Sequence, residues 1–181
     1  MALIYSIGHS TRALEELVAL VKEFSIELLA DIRSFPASAR HPQFNKENLE
    51  KALTAVGIEY QWLGKELGGF RKKRDANSPH TALRSAGFRN YADYMATAEF
   101  RAGIDRLLAL AATKRVAYMC AEVLWWRCHR SLVSDYLTAC RGLEVIHILG
   151  PGKAEPHRLH RTVRLTDGKL LYDSGQQSII P

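Results

Sequence analysis

Apolar residues in this chain recur at two different spacings in turn, and that alternation predicts strands separated by helices. Leu3 to Ile7 reads as a short strand, and Leu14, Leu17, Val18 and Val21 then follow at helical spacing behind a Ser10-Thr11 start signal. Leu28 to Ile32 is a second apolar run. Asn45 is placed to cap a helix carrying Leu49, Ala52, Leu53 and Val56, which Gly57 ends before the strand Ile58 to Trp62. Helical spacing returns from Tyr91 through Ala112, with Ile104, Leu107, Leu108 and Ala111 on one face. A strand at Val116 to Met119, a helix from about His129 to Ala139 and a strand at Val145 to Leu149 complete the series.

Two stretches break the rhythm. Residues 64–90 are rich in Gly, Lys and Arg, including Leu67-Gly68-Gly69 and the run Arg71-Lys72-Lys73-Arg74, and read as a basic loop or lid. Residues 150–181 form a weaker C-terminal extension. Within it, Thr162 to Leu165 and Lys169 to Tyr172 flank Asp167-Gly168 as a small hairpin would.

Strand-helix alternation implies a three-layer, Rossmann-like α/β fold. Its mainly parallel sheet is flanked by helices, because parallel neighbours require crossover connections. At 181 residues and 47% hydrophobic content, the chain fits one domain with a real core. In such sheets ligands bind beyond the carboxyl ends of the strands. His9 and Ser10 follow the first predicted strand, Asp31 and Arg33 end the second, and Cys120 and Glu122 end the fourth.

Charge narrows the partners. Twenty-five Lys and Arg against 19 Asp and Glu give a net charge of +6, and a pI near 9.3, which favours an anionic small molecule or nucleic acid. No run approaches the ~20 apolar residues of a membrane span, and the N-terminus lacks a basic flank with a long apolar core. We therefore expect a cytoplasmic protein with no membrane association. Three cysteines argue against a disulfide framework. Cys140, at helical spacing after Leu132, Val133, Tyr136 and Leu137, reads as a core residue.

The chemistry concentrates in Cys120-Ala-Glu122 and Cys128-His129-Arg130. Three readings are open. Cys120, Cys128, His129 and His9 are zinc-type ligands, with Glu122 as a further donor, but they lack the close Cys-Xaa-Xaa-Cys knuckle of structural zinc sites, so no metal site is assigned. Cys128, opening a helix ahead of Arg130, is a candidate nucleophile, as is Cys120, although both thiols can equally be packing groups. In the third and leading reading Glu122 is the acid-base group and Asp31 its partner. Arg33, Arg40 and Arg130, with His9, Ser10 and His129, then hold an anion. The residues leave the cofactor open.

Several motifs occur together and in order: Ile7-Gly8-His9-Ser10, Asp31-Ile32-Arg33-Ser34-Phe35-Pro36, Phe44-Asn45-Lys46, Gly57-Ile58-Glu59-Tyr60, Leu67-Gly68-Gly69, and Cys120-Ala121-Glu122 with Cys128-His129-Arg130. In this combination the chain resembles a bacterial and archaeal family catalogued as domain of unknown function 488. Two departures are local: Ala39 separates Ser38 from Arg40 where the family usually has Ser and Arg adjacent, and Trp125-Trp126 stands where the family often has a proline. The resemblance carries no activity. The expectation is an enzyme acting by acid-base chemistry on a nucleotide, nucleic acid or other phosphorylated substrate. The alternatives are a noncatalytic nucleic-acid-binding module, using Arg71 to Arg74 and the tail residues His157, Arg158, His160, Arg161 and Arg164, and a metal-dependent protein.

Overall fold

A computed structural model describes residues 2–73 and 76–174. Six strands form one sheet in the order β3-β2-β4-β1-β5-β6. These are β1 (Leu3–Gly8), β2 (Leu28–Asp31), β3 (Glu59–Trp62), β4 (Val116–Cys120), β5 (Glu144–Gly150) and β6 (Lys153–Pro156). The first five pair in parallel, and β6 runs antiparallel along β5. A separate hairpin joins β7 (Val163–Thr166) to β8 (Lys169–Tyr172). The fold is the expected three-layer α/β arrangement with a small C-terminal hairpin.

Helices α1 (Leu14–Glu23) and α2 (Lys46–Thr54) cover one face, where Leu17, Leu20, Val21, Leu49 and Leu53 pack on Ile7, Leu29, Ala117 and Met119. The other face carries α3 (Gly64–Leu67), α4 (Ala86–Met95), α5 (Ala98–Ala111) and α6 (Arg130–Arg141), packed on Ile4, Leu28, Ala30 and Tyr118. Covering both faces is why β2 and β4 are buried throughout and read as unbroken apolar runs. Each fully buried Leu or Ile of these layers stabilises the fold by about 1.5–3 kcal/mol.

Local details differ from expectation. α1 starts from Ala13, whose N–H donates to Glu16 Oε2 at 2.9 Å, so Ser10-Thr11 does not cap it. Ser10 instead turns the chain with φ +52°. The 64–90 segment is partly ordered into α3 and the start of α4, with Arg74 outside the described residues. The predicted helix 91–112 is two helices, divided where Thr97 Oγ1 accepts from Phe100 N at 3.2 Å.

The topology places a crevice. From β1 the chain crosses through α1 to β2 on one side; from β4 it crosses through α6 to β5 on the other. Neighbouring strands whose connections leave in opposite directions, over opposite faces, define a topological switch point, and ligands bind outside the carboxyl ends there. In this chain those ends are Gly8 and Cys120, paired in register.

Candidate functional site

The two strand ends at the switch point are pressed together. His9 N donates to Cys120 O at 3.1 Å and Ser10 N to Ala121 O at 2.8 Å. A Cβ at Gly8 would lie 1.8 Å from Glu122 O, so only glycine allows this approach. Two arginines then hold the carbonyls that the ending strands leave open. Arg12 donates to Gly8 O at 2.6 Å and to Leu149 O at 2.7 Å, while Arg130 Nη2 donates to Glu122 O and Val123 O at 3.0 Å each. Arg12 carried no motif and was not anticipated in the sequence. A cavity of about 530 Å³, lined by Ser10, Arg12, Glu16, Leu20, Val123 and Pro151, opens beside this junction.

The buried residues among the anticipated site fall into two groups. On the α1/α2 side, the Asp31 carboxylate is fully buried and takes a bidentate grip from Arg33, whose Nε lies 2.9 Å from Oδ1 and whose Nη2 lies 2.5 Å from Oδ2. Arg33 N and the Tyr60 hydroxyl donate to the same carboxylate at 3.0 and 2.7 Å. Burial, and then the Asp31 charge, push the Tyr60 hydroxyl upward, so it remains a donor. Arg33 also reaches Phe44 O at 2.8 Å and His9 Nε2 at 3.2 Å. Because arginine only donates, His9 Nε2 accepts and its Nδ1–H donates to Ser10 O at 2.8 Å. Burial holds His9 neutral, lowering its pKa to about 4, and its ring stacks on Phe44 at 4.3 Å.

On the α6 side lie the thiols. Cys128 Sγ is 2.7 Å from Cys120 Sγ and 3.3 Å from His129 Nδ1, and it accepts from Arg130 N at 3.5 Å. His129 Nε2–H donates to Ile32 O at 3.2 Å, which leaves the Nδ1 lone pair facing the sulfur. Burial lowers the pKa of His129 to about 4. Gly69 packs against its ring so closely that a Cβ there would lie 2.5 Å from Nδ1. Arg130 is 1% exposed; its Nε and Nη1 have no hydrogen-bond partner, and it forms no salt bridge among the described residues.

The remaining candidates sit at the rim. Glu122 is exposed and its carboxylate accepts no hydrogen bond from a described residue; Arg40 and Trp126 are exposed too. Ser10 is partly exposed at the cavity. Phe35 and Phe70, each 72% exposed, pair at 5.9 Å, and Phe70 directly follows the glycine that covers His129. Of the basic residues considered for nucleic acid, Arg71 is bound to Gly68 O and lies over Tyr94, and Arg164 is paired with Asp173. Among the described residues no three His, Cys, Asp or Glu side chains converge as a metal ion requires.

One polar chain escaped the sequence reading. Ser6 Oγ, His147, His157 and Asp135 are linked at 2.5, 3.0 and 2.8 Å, and the Tyr172 hydroxyl donates to Asp135 Oδ2 at 2.9 Å. Trp125 stacks on His147 at 4.2 Å and 7°, tying the short 3-10 turn 125–127 to β5. Another cavity, about 590 Å³, lies elsewhere, between α4 and the β7–β8 hairpin, and none of the anticipated site residues line it.

The family model described as domain of unknown function DUF488 matches residues 13–137, more than half of the chain. The chain belongs to this family. Of the motifs that carried the resemblance, those at Gly8–Ser10, Asp31–Arg33 and Cys120–Arg130 come together at the ends of β1, β2 and β4, whereas Gly57-Ile58-Glu59 lies at the start of β3, at the opposite, amino-terminal edge of the sheet. No curated protein and no solved structure matches the chain.

Proposed function

We propose that the chain is a cytoplasmic enzyme acting on a nucleotide or another phosphorylated substrate at the switch point between β1 and β4. The observation that carries this reading is Arg130. A buried guanidinium without a carboxylate is costly unless its charge is met, and two of its donor atoms are unspent beside two sulfurs. An anionic group of the substrate meets that charge. Arginine suits phosphate because its planar fork donates in pairs. The exposed Phe35–Phe70 pair next to the His129 wall offers a stacking surface for a base, and the +6 net charge favours approach of an anion.

Roles follow from environment. Glu122, exposed beside the thiols, is the acid-base group. The Cys128 sulfur, held by the α6 N-terminus and facing a neutral imidazole, is the nucleophile when the reaction needs one. Asp31, with every oxygen engaged by Arg33 and Tyr60, orients Arg33 and His9 and exchanges no proton.

A thermal-shift panel of nucleoside mono-, di- and triphosphates against inorganic phosphate tests this directly. Stabilisation that grows with ligand concentration is expected for at least one nucleotide. It should be lost in Arg130→Met and weakened in a Phe35→Ala/Phe70→Ala variant. No response to any phosphorylated compound overturns the reading.

A further inference from the structure

We propose that Cys120 and Cys128 form a thiol-disulfide exchange couple, with Cys128 attacking and Cys120 resolving. This does not rest on the phosphorylated-substrate reading, because it is carried by the geometry of the two sulfurs. They are 2.7 Å apart, inside the ~3.5–4.0 Å at which even carbon atoms pack. They come from different elements, one ending β4 and the other preceding α6. At that separation a small shift brings the sulfurs to the ~2.05 Å of a disulfide bond.

The surroundings favour one negative charge on the pair. Arg130 supplies a buried positive charge with no carboxylate to meet it, and its backbone N–H points at Cys128 Sγ. Two coupled thiols lose their protons as a unit. Burial opposes any charge, while the Cys128 S–H, donated to Cys120, and then Arg130 hold the Cys120 thiol below the ordinary value and leave Cys128 well above it; because the pair shares one proton, the charge passes to Cys128, the more accessible of the two residues, when a reagent approaches. Cys128 is the less enclosed residue, 6% exposed against 1% for Cys120, and stands just before the N-terminus of a twelve-residue helix. Such a position activates a thiolate. Cys140 is a built-in control, since burial raises its pKa to about 11 and it has no sulfur partner.

The reaction balances with a low-molecular-weight disulfide, RSSR, as oxidant. The Cys128 thiolate attacks one sulfur of RSSR, a Cys128–SR bond forms, the S–S bond of the reagent breaks and RS⁻ leaves. That RS⁻ takes the Cys120 proton. The Cys120 thiolate then attacks the Cys128 sulfur and expels the second RS⁻. The two protein sulfurs are oxidised by two electrons in all, and the reagent is reduced to one RSH and one RS⁻. In a reducing cytoplasm such a bond is transient, as a catalytic or sensing disulfide is.

The test uses the full chain, reduced and then incubated with oxidised glutathione, quenched in acid and alkylated. The expected product is lighter than the reduced protein by two hydrogen atoms before alkylation. Its digest contains a Cys120–Cys128 cross-linked peptide and an alkylated Cys140. Cys120→Ser should stop at one glutathione adduct on Cys128, and Arg130→Met should slow adduct formation roughly tenfold, the effect of one pKa unit. Circular dichroism confirms that each variant is folded, and Cys140→Ser serves as a second background. Modification confined to Cys140, or reaction of Cys120 and Cys128 only in denaturant, overturns the proposal.

Discussion

Two buried charges flank the strand ends: Asp31, which ends β2, on one face of the sheet, and Arg130, the first residue of α6, which reaches the carbonyls just beyond β4 on the other. Asp31 receives Arg33 twice, a backbone N–H and the Tyr60 hydroxyl. Arg130 spends one nitrogen on two carbonyls and leaves Nε and Nη1 without partners, among two thiols and an imidazole. Buried polar groups are normally paired, and an exception in a native core calls for a reason. The comparison therefore separates a scaffold from a site: a charge satisfied from every side holds the architecture, and a charge left partly open is free to meet a ligand or a thiolate.

The largest effect expected from this contrast is on the satisfied side. Asp31→Ala leaves Arg33 buried without its counter-charge, and urea denaturation should show a loss of about 3–5 kcal/mol. Tyr60→Phe removes one hydrogen bond to the same carboxylate and should cost about 1.5–3 kcal/mol. Acid should act in the same direction. His9 and His129 are held neutral with pKa values lowered to about 4 from the ordinary 6.5. Between those values the unfolded chain binds protons that the folded chain excludes. Stability is then full above pH 6.5 and falls as the pH drops towards 4, and thermal melts across that range should have a shallower slope in His9→Gln. The smallest effect belongs to the open side. Arg130→Met exchanges an uncompensated buried charge for an apolar chain and should change stability by no more than about 1 kcal/mol, while abolishing nucleotide stabilisation. A large destabilisation by Arg130→Met, or a negligible one by Asp31→Ala, would invert the comparison.

Much of the scaffold was legible because its signals are local. β2 and β4 are covered on both faces and read as apolar runs, and the β7–β8 turn is announced by Asp167-Gly168, both with positive φ. Two features were not. β6, Lys153–Pro156, is a short edge strand without apolar alternation, defined only by its pairing with β5. The break at Thr97 was masked because helical spacing continues on both sides of the cap.

The site was legible in its residues and illegible in its grouping. Cys120, Cys128, His129 and Arg130 announce themselves as reactive types, and Asp31 and Arg33 as charges at an apolar strand end. Which of them share a face depends on the register of β2 against β4, where Asp31 pairs with Met119 and so falls out of phase with Cys120. Side chains alternate faces with a period of two, and one sequence does not fix the register between strands sixty or more residues apart. The Ser6–His147–His157–Asp135–Tyr172 chain was missed for the same reason, since its members come from β1, β5, α6, β8 and the segment after β6.

The proposals for the α6 side of the switch point share one element, a reactive thiol centre that receives anions. Alkylation of the Cys140→Ser variant at pH 7 by negatively charged iodoacetate and by neutral iodoacetamide tests it most directly. Iodoacetate should label Cys128 at least as fast as iodoacetamide does, and Arg130→Met should reverse the preference. Labelling that requires denaturant with both reagents, or a preference unchanged by Arg130→Met, would contradict it.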